Sequence, residues 1–275
     1  MASINIPTID FAKLDQFDAG EGYGDEVNKL LNAACSPGFF YLDFKNAFGT
    51  KLVLREVKDA YAASDRYFDQ SLETKMKDFR KGQPASRDRG YKFCEIDESF
   101  EMSSDEMSDG SLSLPEALAV NESSLNSLHQ HCYIAANMLL DCLSNALNIP
   151  FNEYHRDVLP SESGLKLVSE PSITNVSEVI ENKHTDSGTF TFLFYEKPGL
   201  QINIPGSDEW AFPKPPAPGC AIVYGGNFLK LMSNGVLQSP LHRVTQLEDG
   251  ASKRFFLSYF LRPEEGAKER LECHL

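Results

Sequence analysis

The stretch "ENKHTDSGTFTFLF", residues 181–194, sets an imidazole and a carboxylate two positions apart, in front of a run of aromatic and β-branched residues. Side chains alternate sides along an extended chain, so His184 and Asp186 are expected to project the same way and Thr185 the other. Two ligands make a weak signal. A third is offered by His242 in "SNGVLQSPLHRVT", which follows a turn and opens a β-type run. Two imidazoles and one carboxylate on one face of a metal leave three coordination positions open. That is the facial arrangement suited to an Fe(II) that must bind O2 and a bidentate co-substrate. Two plainer readings stand beside it. His184 could be a strand-end histidine capped by Asp186, with His242 bonded to backbone in the core. A zinc hydrolase also uses histidine and carboxylate, but needs a general base beside its water.

Arg254, in "SKRFFLSYFLRP", favours the iron reading. It falls on the next expected strand, facing the same cavity, where a guanidinium matches a carboxylate with two parallel hydrogen bonds. 2-Oxoglutarate carries such a carboxylate at one end and an iron-chelating 2-oxo acid at the other. The candidate walls of a substrate pocket are Tyr91, Phe192, Phe194 and Ser258, each with a core-packing alternative. Ser187 and Asn227 flank the ligand-bearing segments and have a turn-residue alternative. His129, His131 and His155 have no ligand partners at suitable spacing and read as packing or surface histidines.

These side chains need a scaffold, and the chain divides by texture. Residues 1–160 read as mostly helical, with amphipathic patterns through "EVNKLLNAAC", "TKLVLREVKDAYAASDRYF" and Leu125–Ala146. The polar segment from Lys81 to Pro115 is expected to be mostly loop, and its acidic part, Glu95–Gly110, a solvated loop or a mobile flap. From 161 to 262 short β-rich runs are separated by "EKPG", "IPGSDE", "KPPAPG", "SNG" and "LEDG". Such spacing predicts an antiparallel barrel or a double-sheet jelly roll, with the helices packed outside it. Residues 263–275 form a C-terminal tail, and no linker breaks the 275 residues into separate domains.

Composition narrows the partners. A formal charge of -14 opposes binding to a polyphosphate backbone. No apolar segment approaches the length of a membrane span, and no signal peptide is apparent. The six cysteines are scattered without a CxxC pair, which suits a reducing cytoplasm. A small organic substrate is expected, with no obligatory protein partner.

The series "HTDSGTFTFLFYEKPGLQI", "PKPPAPGCAIVYGGNFLKLMSNGVLQSPLHRV" and "RFFLSYFL", with "IPTIDF", "GFFYL", "RGYK" and "DESFE" before it, resembles the Fe(II)/2-oxoglutarate-dependent dioxygenases of the isopenicillin N synthase-like superfamily. The resemblance spans nearly the whole chain, and its texture is similar to fungal members. It implies a double-stranded β-helix with flanking N-terminal helices, iron on His184, Asp186 and His242, and the distal carboxylate of 2-oxoglutarate on Arg254. It also implies use of O2 to oxidise a C–H bond of a small molecule, by hydroxylation, desaturation or cyclisation, as in secondary metabolism. There are two departures. Family members usually place a serine two residues after the arginine, where this chain has Phe256; many place a tyrosine where this chain has Glu170, before Pro171. Losing two neutral hydrogen bonds costs roughly 1–3 kcal/mol, or about ten- to a hundredfold in affinity. A 2-oxoglutarate-independent oxidase and a silent binding protein on the same fold are the alternatives.

Overall fold

The computed structural model describes residues 4, 6–14, 22–47, 52–83, 89–94, 97–156, 159–176, 182–246 and 248–272. Glu95, Ile96 and Cys273, which belong to the segments read from the sequence, lie outside them.

Eleven strands form two sheets among the described residues: β1 Thr8–Asp10, β2 Phe39–Asp43, β3 Gly90–Phe93, β4 Glu98–Ser103, β5 Gly164–Glu170, β6 Phe190–Tyr195, β7 Leu200–Asn203, β8 Trp210–Ala211, β9 Cys220–Gly225, β10 His242–Val244 and β11 Arg254–Leu261. The larger sheet runs β1-β2-β9-β6-β11-β5-β4-β3, and the smaller runs β10-β7-β8. All pairings but β1 with β2 are antiparallel. Two facing sheets with strands crossing between them are the jelly-roll arrangement expected from the sequence.

Central strands of the large sheet are apolar on both sides, because both sides are covered. One side meets the small sheet through Leu193, Tyr195, Ile222, Tyr224 and Phe256, opposite Leu200 and Ile202. The other side, with Phe192, Phe194, Leu257 and Tyr259, packs against the helices. The helices are α1 (Tyr23–Cys35), α2 (Leu52–Phe68) and the long Glu122–Leu147, which buries Leu125, Leu128, Cys132, Ala135, Leu139 and Cys142 along one stripe. That stripe recurs at three- and four-residue steps, as an amphipathic helix requires.

The structure corrects the reading of Lys81–Pro115 as mostly loop. β3 and β4 lie there, and β4 pairs with β5 through six residues, Glu98–Ser103. Acidity disguised the strand. Glu98 is met by Lys75 and by the Tyr91 hydroxyl (2.9 Å), and Glu101, buried, takes a hydrogen bond from Arg262 at 2.6 Å. Paired in this way, the carboxylates tolerate burial that would otherwise be costly. The first 160 residues therefore supply four strands of the large sheet as well as helices outside it.

Candidate active site

His184 and His242 face one another across a two-residue antiparallel bridge, each backbone N–H donating to the other's carbonyl at 3.0 Å. This bridge lies between β10 and the segment entering β6, at the mouth of the space between the sheets. Beyond His184 the chain turns before β6 begins. The turn is held from outside, where the Asn227 N–H donates to the Asp186 carbonyl at 2.7 Å and Gly226 N–H to Thr189 at 2.9 Å. Gly226 sits so close that an added Cβ would lie 2.2 Å from the Gly188 carbonyl oxygen. Only glycine permits that approach. Asn227 thus has a definite place: it opens the short helix Asn227–Met232 and its amide donates to the Thr185 hydroxyl at 3.0 Å.

The side chains converge. Asp186 Oδ1 is 3.5 Å from His184 Nε2 and 3.7 Å from His242 Nε2, and the three donor atoms all lie within 4.8 Å of one another. His184 Nδ1 is 2.9 Å from the Asn182 carbonyl, and His242 Nδ1 is 3.2 Å from the Pro240 carbonyl. A carbonyl can only accept, so each Nδ1 carries the proton and each Nε2 lone pair turns to the centre. The second carboxylate oxygen of Asp186 accepts from the Thr191 hydroxyl. Burial opposes the charge on Asp186, but the neighbouring His184 and His242 and the Thr191 hydroxyl outweigh it and hold the carboxyl at about 2. The Asp186 carboxylate favours the protonated form of His184 and raises that imidazole, whereas burial lowers His242. An ionised carboxylate and two inward lone pairs form a donor set for a divalent cation. Tyr224, which no sequence signal marks, brings its hydroxyl to 3.4 Å from His242 Nε2. Thr191 is also unmarked, although its odd-numbered place on β6 shares the pocket face with Leu193.

A cavity of about 300 Å³ opens from this cluster, lined by all three residues and by Arg254, Glu170, Phe256, Ser258 and Lys166. Ser258 therefore lies on the cavity wall. Tyr91, Phe192 and Phe194 do not. Phe192 and Phe194 occupy the helix-facing side of β6, and Tyr91 packs edge-on to Tyr67 in that same core. The reason is parity: with both faces of β6 apolar, the pattern alone gave no sign of which set faced the small sheet.

Arg254 is almost wholly buried and thickly bonded. Its Nε donates to Glu170 Oε2 at 2.5 Å, one terminal nitrogen reaches Glu170 and the Thr245 carbonyl at 2.5 Å, and the other reaches the Pro198 carbonyl. A Cβ on Gly199 would fall 2.0 Å from that last nitrogen, so the missing side chain makes room for the guanidinium. Phe256 lies beneath it, ring centre 5.0 Å away.

Comparison with known proteins assigns the family. The profile described as the 2OG-Fe(II) oxygenase superfamily matches residues 163–263. The chain is 32% identical over 279 residues to 2-oxoglutarate-dependent dioxygenase frbH of Dothideomycetidae sp. (strain 11243), covering 95% of this chain and 83% of that one. It is 32% identical over 260 residues to 2-oxoglutarate-dependent dioxygenase gloE of Glarea lozoyensis, covering 88% and 76%. Among solved structures, a full-length Neurospora crassa protein in complex with alpha-KG superposes with a TM-score of 0.78 at 25% identity, over 96% of this chain and 88% of that one. Rice dioxygenase for auxin oxidation shares the fold, with a TM-score of 0.74 at 20% identity over 95% and 84%. The chain belongs to the 2OG-Fe(II) oxygenase superfamily. It is an oxidoreductase that uses Fe(II), 2-oxoglutarate and O2.

Proposed function

We propose that His184, Asp186 and His242 hold the iron, that Arg254 anchors the far carboxylate of 2-oxoglutarate, and that the cavity between them admits a small organic molecule for oxidation at a C–H bond. The observation that carries this is the convergence of three donor atoms within 4.8 Å, with both Nδ1 atoms committed to carbonyls, in the same cavity as a buried guanidinium. When bound, iron and 2-oxoglutarate supply the oxidising chemistry; the chain supplies position and exclusion of water. Thr191 fixes the Asp186 carboxylate, and the Asn182 and Pro240 carbonyls fix the ring orientations. Leu193, Val168 and Phe256 give the cavity apolar walls, while Ser258 and Lys166 are its polar contacts for a substrate.

Fungal relatives such as frbH and gloE support a fungal-type member and a role in secondary metabolism. We read residues 1–275 as one unit working in the cytoplasm, without nucleic-acid, membrane or obligatory protein partners. The charge of -14 supports the absence of a nucleic-acid partner, and no described helix is long and apolar enough to cross a membrane.

Replacing His184, Asp186 or His242 with Ala tests the ligand assignment. Iron bound per chain should fall to near zero, and turnover with it. The melting temperature of the metal-free protein should stay within a few degrees, because these side chains supply donors rather than core volume. Any variant that retains full iron occupancy removes its residue from the set.

A further inference from the structure

Arg254 already holds a carboxylate, and it belongs to the chain. Glu170 ends β5 directly opposite Arg254 at the start of β11, as Cα partners in the ladder. Its Oε2 accepts from the guanidinium at 2.5 Å and from the Gln246 amide at 3.2 Å. With the Thr245 and Pro198 carbonyls taking further donors, each of the three guanidinium nitrogens is committed to a partner within the chain. A dicarboxylic co-substrate finds its anchoring group in use.

We propose that Glu170 is a built-in competitor for the Arg254 subsite, so that the far carboxylate of 2-oxoglutarate binds only by displacing the Glu170 carboxylate, and that this residue sets the co-substrate affinity of the enzyme. The proposal rests on Arg254 being the anchor, as read above. A tyrosine at this position would leave the guanidinium its charge to offer; a glutamate neutralises it in advance. The exchange is feasible because Glu170 is poorly settled as an anion. Burial pushes its carboxyl up to about 7 in spite of Arg254, and Asp97 adds to the rise. A second carboxylate arriving at the same guanidinium further disfavours that charge. Gln246, also on the cavity wall, is placed to receive the displaced group.

The experiment measures the dissociation constant of 2-oxoglutarate on the Fe(II)-loaded protein without O2, so that no turnover intervenes. Wild type is compared with Glu170→Gln, Glu170→Ala and Arg254→Ala, with iron affinity and melting temperature recorded for each. Removing the competing charge should tighten 2-oxoglutarate by at least about tenfold, the scale of one charge-assisted hydrogen bond, in both Glu170 variants and with iron affinity unchanged. Mere structural damage would loosen it. Arg254→Ala should weaken it in the same assay. If Arg254→Ala weakens binding while neither Glu170 variant tightens it, the competitor role is overturned and the anchor stands. If Arg254→Ala changes nothing, both fall. Should one Glu170 variant fail to fold, the other carries the comparison.

Discussion

At the scale of single residues the three donors that the structure brings together were legible and their neighbours were not. His184 and Asp186 stand two apart before a β-rich run, and His242 follows a turn, so type and spacing singled out the residues whose donor atoms converge. Arg254 was placed by the same means, but its pairing with Glu170 joins residues 84 apart, and no local pattern reports such a contact. Phe256 shows what burial adds. The sequence marks only the absence of a hydroxyl; the structure puts the ring among Tyr195, Ile222 and Leu200 and under the guanidinium. It fills space. Phe256→Ser should therefore cost on the order of 3 kcal/mol of stability through the cavity it leaves, with no tightening of 2-oxoglutarate. A denaturant midpoint and a binding titration on that variant test this together. A stable variant with tighter binding would show that a missing donor, and not a filled volume, defines the position.

At the scale of elements, turns and strand starts aim the chemistry. The fold class could be read because turn residues punctuate the β-rich second half at regular intervals. β4 escaped because its carboxylates find Lys75 and Arg262 only in the folded sheet, and β3, which pairs with it, escaped too. The two faces of β6 could not be told apart, because helices cover one and the small sheet the other. Between β6 and β7 the turn ends at Gly199, whose bare Cα leaves room for Arg254. Gly199→Ala should push the guanidinium off its carbonyl partners while leaving His184, Asp186 and His242 in place. The expected outcome is a 2-oxoglutarate dissociation constant raised by about tenfold or more, the loss of one charge-assisted bond. Iron affinity should be unchanged. Equal loss of both would mean that the turn supports the whole sheet and not this one side chain.

At the scale of the molecule, the helices that cover the large sheet bury groups that respond to acid. His129, on the long helix, is buried against Tyr259 with its Nε2 2.6 Å from the Ser104 hydroxyl, and burial lowers it to about 4. Its folded value lies below the ordinary 6.5, so its neutral form is the one the fold holds. Its contribution is intact above pH 6.5, falls away as the pH drops from 6.5 towards 4, and is level below that. The total is on the order of 3 kcal/mol at 1.36 kcal/mol per unit. His155, lowered to about 4 by burial, acts in the same direction. Urea midpoints of the metal-free protein should decline through this window, and less steeply in His129→Gln; a flat wild-type curve would refute the assignment. The central claim is that this scaffold brings iron and 2-oxoglutarate together at His184, Asp186, His242 and Arg254. The direct measurement is an anaerobic titration of the protein with Fe(II) and then 2-oxoglutarate, watching for the weak visible charge-transfer band of the chelate. The account predicts a saturable band with one iron and one 2-oxoglutarate per chain, absent in His242→Ala and needing more 2-oxoglutarate in Arg254→Ala. No band in an iron-loaded wild-type protein, or an undiminished band in His242→Ala, would contradict it.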